Sequence, residues 1–183
     1  MSIHSLTASS DPRPIYDLSS RLWTARGQQE RFYPDIQIKH RLQVGGSCVS
    51  TGLSLLTNEE PQLIRSKINT QDPTSWSYYL LQHGMKLAYC NTDFRRLKHY
   101  VDELLALDDL FAVSTYSPGN PFDIGEEPDE NGWICGSHFF IAHRGMVYDT
   151  TYGSPVKLSR YLDTGRYIKR LFRVVPEWHD QGI

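Results

Sequence analysis

Residues 43–53 read Gln-Val-Gly-Gly-Ser-Cys-Val-Ser-Thr-Gly-Leu, and the organisation of the chain follows from this stretch. Small, turn-forming residues occupy positions 45–47, and a helical apolar pattern begins directly after Cys48 and runs to Thr57. A helix N-terminus carries partial positive charge and unpaired backbone N–H groups, which favour a thiolate over a thiol. The stretch therefore predicts a central helix that begins at a nucleophilic Cys48. Gly52 would allow this helix to pack closely against a neighbour.

Gln43 lies five residues before Cys48. A glutamine amide and a backbone N–H together often bind the oxyanion that forms during acyl transfer. We therefore expect Gln43 and the N–H of Cys48 to bind an oxyanion. The alternative is that Gln43 is only a polar residue at the end of an extended segment over 37–42.

Size and charge exclude several classes of protein. The chain has 183 residues, which suits one domain, and its 19 basic and 21 acidic residues give a net charge of −2. Without a basic excess, we expect no binding to nucleic acids or anionic membranes. No run approaches the roughly 18 apolar residues of a membrane span. We expect a flexible arm over 1–14, a single domain over 15–183 and synthesis in the cytoplasm, with export that needs no cleaved signal left open.

The order of elements predicts an α+β fold. Helical patterns come first, followed by a largely antiparallel sheet. The predicted helices are 48–57, a short helix that Glu59-Glu60-Pro61 starts and that runs through Lys67, a helix from Asp72 through Leu87 that His83-Gly84 could interrupt, and 92–106; the predicted strands are 110–115, 137–143, 146–151 and 167–175, with a short helical piece near 156–163.

Residues 138–149, His-Phe-Phe-Ile-Ala-His-Arg-Gly-Met-Val-Tyr-Asp, form a predicted hairpin with a two-residue turn at Arg144-Gly145. In that register paired residue numbers sum to 289, His138 lies opposite Thr151, and Asp149 is its diagonal neighbour on the same face. A G1-bulge turn would shift the pairing by one residue and separate the two side chains. His143 would lie on the opposite face.

The candidate site combines these two stretches. Asp149 would orient His138, and His138 would activate Cys48. Cys135, three residues before His138, is a rival nucleophile without a helix start, and Cys90 is expected to be structural. Three cysteines at irregular spacing favour a reducing compartment over a disulfide framework. No metal-ligand or phosphate-loop spacing is present, so no metal or cofactor is expected.

The order Gln43, Cys48, His138, Asp149 resembles the papain-like cysteine peptidase superfamily. The Gly-Ser-His-Phe-Phe-Ile and Met-Val-Tyr-Asp-Thr-Thr-Tyr-Gly segments look most like bacterial double-glycine (bacteriocin-processing) peptidases and related effector proteases. The gap from Gln43 to Cys48 is one residue shorter than the usual spacing in that family. The resemblance implies a central helix packed on an antiparallel sheet, with the site in the cleft between them.

The implied activity is hydrolysis of an amide or isopeptide bond in a protein or peptide substrate. A glutamine deamidase, a transglutaminase, a peptidoglycan amidase and an inactive papain-like binding module share the constellation and stay open. The 117–131 loop carries Asp123, Glu126, Glu127, Asp129 and Glu130 without a basic residue. As a wall of the cleft it would favour basic or amine-bearing substrates.

Overall fold

The computed structural model describes residues 22–23, 30–116 and 136–183. The expected arm 1–14, the acidic loop 117–131 and Cys135 lie outside these ranges. The described helices are α1 (Cys48–Thr57), α2 (Pro61–Lys67), α3 (Pro73–Leu81) and α4 (Val101–Leu107), with 3₁₀ turns at Leu97–His99, Leu158–Arg160 and Leu162–Gly165. The described strands are β1 (Met85–Tyr89), β2 (Leu110–Tyr116), β3 (Ser137–His143), β4 (Met146–Tyr148), β5 (Val156–Lys157) and β6 (Ile168–Pro176).

These strands form one sheet in the order β1-β6-β2-β3-β4-β5, and every pairing is antiparallel. Strands β2 and β3 pair over their whole length, from Leu110 opposite His143 to Tyr116 opposite Ser137. The last strand, β6, lies between β1 and β2. The expected α+β class with an antiparallel sheet is therefore confirmed.

Both faces of the sheet are covered, because successive side chains of a strand point to opposite sides. Phe139 and Ile141 of β3 belong to a buried cluster with side chains of α1 and α3. Phe140 and Ala142 belong to a second cluster with α4 and the 3₁₀ turns. None of the helices in the described ranges is both long and apolar enough to cross a bilayer.

Four predicted elements are corrected. The helix expected through Leu87 ends at Leu81, and Met85–Tyr89 forms a strand that pairs with β6. The helix expected over 92–106 is reduced to a 3₁₀ turn and the short α4. The helical piece expected over 156–163 consists of strand β5 and 3₁₀ turns, and the strand that begins at Met146 ends at Tyr148.

The first part of the helix expected over 92–106 does not form, because its residues pair with a distant part of the chain. Phe94 is exposed and has a φ of 56°, which ends any regular helix there. Arg96 forms an isolated bridge with Tyr167, and the N–H of Leu97 donates to the carbonyl of Arg166. This pairing holds Arg96 extended until the 3₁₀ turn begins at Leu97.

Candidate functional site

Helix α1 begins at Cys48, as the sequence predicted. Gly45 has a φ of 57°, a conformation that glycine adopts at little cost. Ser47 is the N-cap residue; its side chain accepts from the N–H of Val44 at 3.2 Å, and its carbonyl accepts from the N–H of Thr51 at 2.9 Å. Hydrogen bonds of Ser47 therefore connect the turn before the candidate nucleophile to Val44 on one side and to the first turn of α1 on the other.

The Cys48 side chain lies against the first residue of β3. It is only 4% exposed, and Sγ lies 4.0 Å from the carbonyl oxygen of Ser137, to which it donates a weak hydrogen bond. Since a carbonyl oxygen is about 3 Å from the next Cα, the sulfur lies within about 7 Å of the His138 Cα. The structure therefore makes Cys48 and His138 neighbours at the start of β3.

The hairpin has the predicted register. His143 pairs with Met146, Ala142 with Val147 and Ile141 with Tyr148, so paired numbers sum to 289. Arg144 and Gly145 both have positive φ, 48° and 78°, as a type I′ turn requires. The alternative with a G1 bulge does not occur.

His138 and Asp149 meet beyond the end of the paired strands. Nε2 of His138 lies 2.8 Å from Oδ1 of Asp149, and the two side chains are 7% and 1% exposed. The separation is that of a hydrogen bond, but Nε2 has no hydrogen bond of good angular geometry, so the contact is a close ion pair when His138 is protonated. The diagonal contact expected from the register is confirmed.

Three further donors hold the Asp149 carboxylate. The N–H and the hydroxyl of Thr151 donate to Oδ1 at 2.9 and 2.6 Å, and the hydroxyl of Tyr161 donates to Oδ2 at 2.5 Å. Burial alone would raise the pKa of Asp149, but the contact with His138 and these hydroxyl donors outweigh it and hold the pKa well below its usual range. Asp149 is therefore a fixed negative charge next to Nε2 of the imidazole.

Tyr161 is the part of the site that the sequence did not reveal. Its ring is 4% exposed and packs against Phe140 and Tyr152, with centroids 5.2 and 5.5 Å away. Burial, together with the neighbouring Asp149 charge, raises the pKa of Tyr161, so the hydroxyl keeps its proton and donates. No sequence pattern predicted this role, because Tyr161 lies twelve residues beyond Asp149, in an irregular segment.

Gln43 is hydrogen-bonded both to the loop that follows Asp149 and to the turn that precedes Cys48. Its backbone N–H donates to the carbonyl of Thr150 at 2.8 Å, and its side-chain Oε1 accepts from the Thr150 hydroxyl at 2.7 Å. Its Nε2 donates to the carbonyl of Gly45 at 2.7 Å. One of its two amide hydrogens is therefore used inside the turn that precedes Cys48, and the oxyanion role of Gln43 stays a prediction.

Two other residues considered in the sequence lie away from this arrangement. Nε2 of His143 lies 2.8 Å from the carbonyl oxygen of Tyr33. Cys90 is buried, and burial raises the pKa of its thiol, which makes it a poor nucleophile. Among the described residues, no three His, Cys, Asp or Glu side chains are grouped so that they could hold a metal ion.

No family model, no curated protein and no solved structure matches this chain.

Proposed function

We propose that the chain is a cysteine-dependent hydrolase of the papain-like type that cleaves an amide or isopeptide bond of a protein or peptide. The observation that carries the proposal is the His138–Asp149 contact of 2.8 Å next to the helix that begins at Cys48. A thiol, an imidazole and a buried carboxylate in this order are the parts of a nucleophile, a base and an orienting group.

In the proposed reaction His138 takes the proton of the Cys48 thiol, and the sulfur attacks the substrate carbonyl. The backbone N–H of Cys48 and the amide of Gln43 stabilise the oxyanion. The tetrahedral intermediate collapses, the C–N bond breaks, and His138 returns the proton to the leaving amine. Water, deprotonated by His138, then attacks the thioester and releases the acid and the free thiol.

Asp149 stabilises the pair of Cys48 thiolate and His138 imidazolium with which the proposed reaction begins. The Nε2 atom faces Asp149, which leaves Nδ1 as the ring nitrogen for the thiol proton. Because the contact with His138 and the hydroxyl donors keep Asp149 ionised, its charge stabilises the imidazolium that forms when Cys48 loses its proton. The proposal also includes a reducing, cytoplasmic site of synthesis, in which Cys48 stays a free thiol.

Alkylation of the thiols by iodoacetamide across pH tests the nucleophile without a known substrate. We expect Cys48 to react at a pH well below the usual thiol pKa of about 8.5, and Cys90 to stay unreactive in the folded protein. His138→Ala should move the reactivity of Cys48 towards the usual thiol range. A Cys48 thiol that titrates near 8.5 and reacts no faster than Cys90 would contradict the proposal.

Comparison of new protein N-termini in lysate treated with wild type or with Cys48→Ala tests the reaction. New N-termini that depend on Cys48 identify a peptidase, whereas released ammonia without new N-termini identifies a deamidase or a transglutaminase that uses the same acyl-enzyme. Release of fragments from purified peptidoglycan identifies the amidase. A reactive Cys48 with no product in any of the three assays would favour the inactive binding module.

A further inference from the structure

A groove of about 440 Å³ lies beside the turn that leads to Cys48. One wall is the segment 39–44, and the other is formed by residues of α1 and α2. Ser47 and Val44 line the groove, and Cys48 directly follows Ser47. The groove therefore borders the turn that precedes the candidate nucleophile.

The wall formed by residues 39–44 is hydrogen-bonded to the loop that follows Asp149. Gln43 is hydrogen-bonded to Thr150 through its backbone and its side chain. Nε2 of His40 lies 2.7 Å from the carbonyl oxygen of Tyr152. A ligand in the groove would thus contact elements that hold both Cys48 and Asp149.

The charge of the groove differs from that of the whole chain. Among the described residues that line it, Lys39, Arg41 and Arg65 are cationic and only Glu60 is anionic. The Glu60 side chain is 75% exposed and lies 3.6 Å from Arg41, so solvent weakens this ion pair. The whole chain, in contrast, has a net charge of −2.

Apolar side chains accompany these cations. Leu42 and Val44 line the groove and are 60% and 79% exposed. The groove therefore combines cationic side chains with exposed apolar ones. A peptide segment that carries both acidic and apolar side chains is complementary to it.

We infer that this groove binds an acidic segment of the peptide substrate next to the bond that Cys48 attacks. The inference rests on the proposed hydrolase function and adds the substrate class. It differs from the preference for basic substrates expected from the 117–131 loop, because the two charge clusters lie on different parts of the chain. Acidic residues in the groove and basic residues elsewhere in one substrate are compatible.

Binding to the full-length Cys48→Ala variant tests the groove without chemistry. Fluorescence anisotropy would compare a short fluorescein-labelled peptide of alternating Glu and Leu with the same peptide carrying Lys in place of Glu. We expect the acidic peptide to bind at least about tenfold more tightly, and its affinity to fall as salt screens the charges. Lys39→Glu and Arg65→Glu should each weaken binding about tenfold.

Lys98→Glu is the matched control, since it makes the same charge change at an exposed residue outside the groove and should leave the affinity unchanged. Circular dichroism would confirm that each variant folds. Equal affinity for the two peptides, or an Arg65→Glu variant that binds as the control does, would overturn the inference. Equally tight binding of a single-stranded oligonucleotide of similar charge would also overturn it, because the groove would then bind polyanions in general.

The two proposals can fail separately. If Cys48 is unreactive but the acidic peptide binds as expected, the hydrolase proposal fails and the groove stands as a peptide-binding site. If Cys48 cleaves proteins but the acidic peptide binds no better than the basic one, only the groove assignment fails.

Discussion

Gly52 and Phe139 are in direct contact, with no room for a side chain between helix α1 and strand β3. A Cβ atom on Gly52 would lie well inside van der Waals contact of Cδ1 and Cε1 of Phe139. Gly52 lies one turn after Cys48, and Phe139 directly follows His138. This contact therefore sets how closely the candidate nucleophile approaches the candidate base.

Gly52→Ala should move α1 away from β3 and reduce the reactivity of Cys48. The Phe139 ring is 1% exposed and packs edge-on against Trp76 at 5.5 Å, so it cannot easily swing aside. Overpacking costs about 1 to 3 kcal/mol, against a gain of about 1 kcal/mol in helix propensity. We expect a small net loss of stability in urea unfolding and a larger loss in the rate of Cys48 alkylation. Gly153→Ala, where a Cβ meets nothing within 4 Å, is the control; equal alkylation rates in the two variants would contradict the prediction.

Asp149→Asn should make the protein less stable at neutral pH and less sensitive to acid. The pKa of Asp149 is held below its usual range, so its stabilising effect is complete above the unfolded value of about 3.9 and is lost as pH falls through the lowered folded value. The difference in free energy of unfolding between wild type and variant should therefore shrink as pH falls below about 4. Asp35→Asn, at an exposed carboxylate, should show no such change.

The same variant should lower the activity of Cys48 by about 10²-fold, because an amide does not stabilise the imidazolium. The measurement is the pH profile of alkylation, in which the thiolate of the variant should appear at higher pH than that of wild type. An unchanged profile would remove Asp149 from the site.

Tyr161→Phe should weaken the site while it preserves the shape of the core. The phenol hydroxyl donates to Oδ2 of Asp149, and a hydrogen bond to a charged group contributes about 1.5 to 3 kcal/mol. We expect the pKa of Asp149 to rise and the alkylation rate of Cys48 at low pH to fall about tenfold. Tyr152→Phe, which removes a hydroxyl that donates to Asp163 instead, is the matched control. Equal pH profiles in the two variants would limit Tyr161 to a structural role.

The Arg173–Asp109 pair should be the most sensitive charged contact for stability. Both side chains are fully buried, with Nη2 of Arg173 2.8 Å from Oδ2 of Asp109. Asp109 also accepts the backbone N–H groups of Phe32 and Tyr33, both at 3.0 Å. Arg173→Met should cost about 3 to 5 kcal/mol, because it leaves the carboxylate buried without its partner.

Addition of Asp109→Asn to Arg173→Met should recover part of this loss, since no uncompensated charge then remains. Denaturant unfolding of the two single variants and the double variant measures the coupling. Strictly additive losses would show that the two charges do not depend on each other.

The sequence was sufficient to predict elements whose structure depends on residues close together in the chain. Helix α1 follows from a turn of small residues and a helical apolar pattern, and the hairpin register follows from a two-residue turn. Elements whose structure depends on pairing with distant residues were predicted less well. Met85–Tyr89 is a strand because β6, some ninety residues later, lies beside it, with Met85 opposite Pro176.

The candidate site shows the same division. Cys48, His138 and Asp149 could be found because a helix start and a hairpin each carry a sequence pattern. The contact of Tyr161 with Asp149 depends on how an irregular segment folds over the sheet, and no periodic sequence pattern predicts it. The contact of Gln43 with Thr150 was likewise invisible, since it joins residues 107 apart.

The position of β6 has a consequence for the timing of biosynthesis. Cys48, Gln43, His138 and Asp149 are all synthesised before residues 168–176. Until those residues arrive, β2, the strand that holds β3 in register, has one unpaired edge, and β1 has no partner in the sheet. Because β6 fills a place inside the sheet, a chain that already contains every candidate catalytic residue completes the sheet around them only when its last strand has been made.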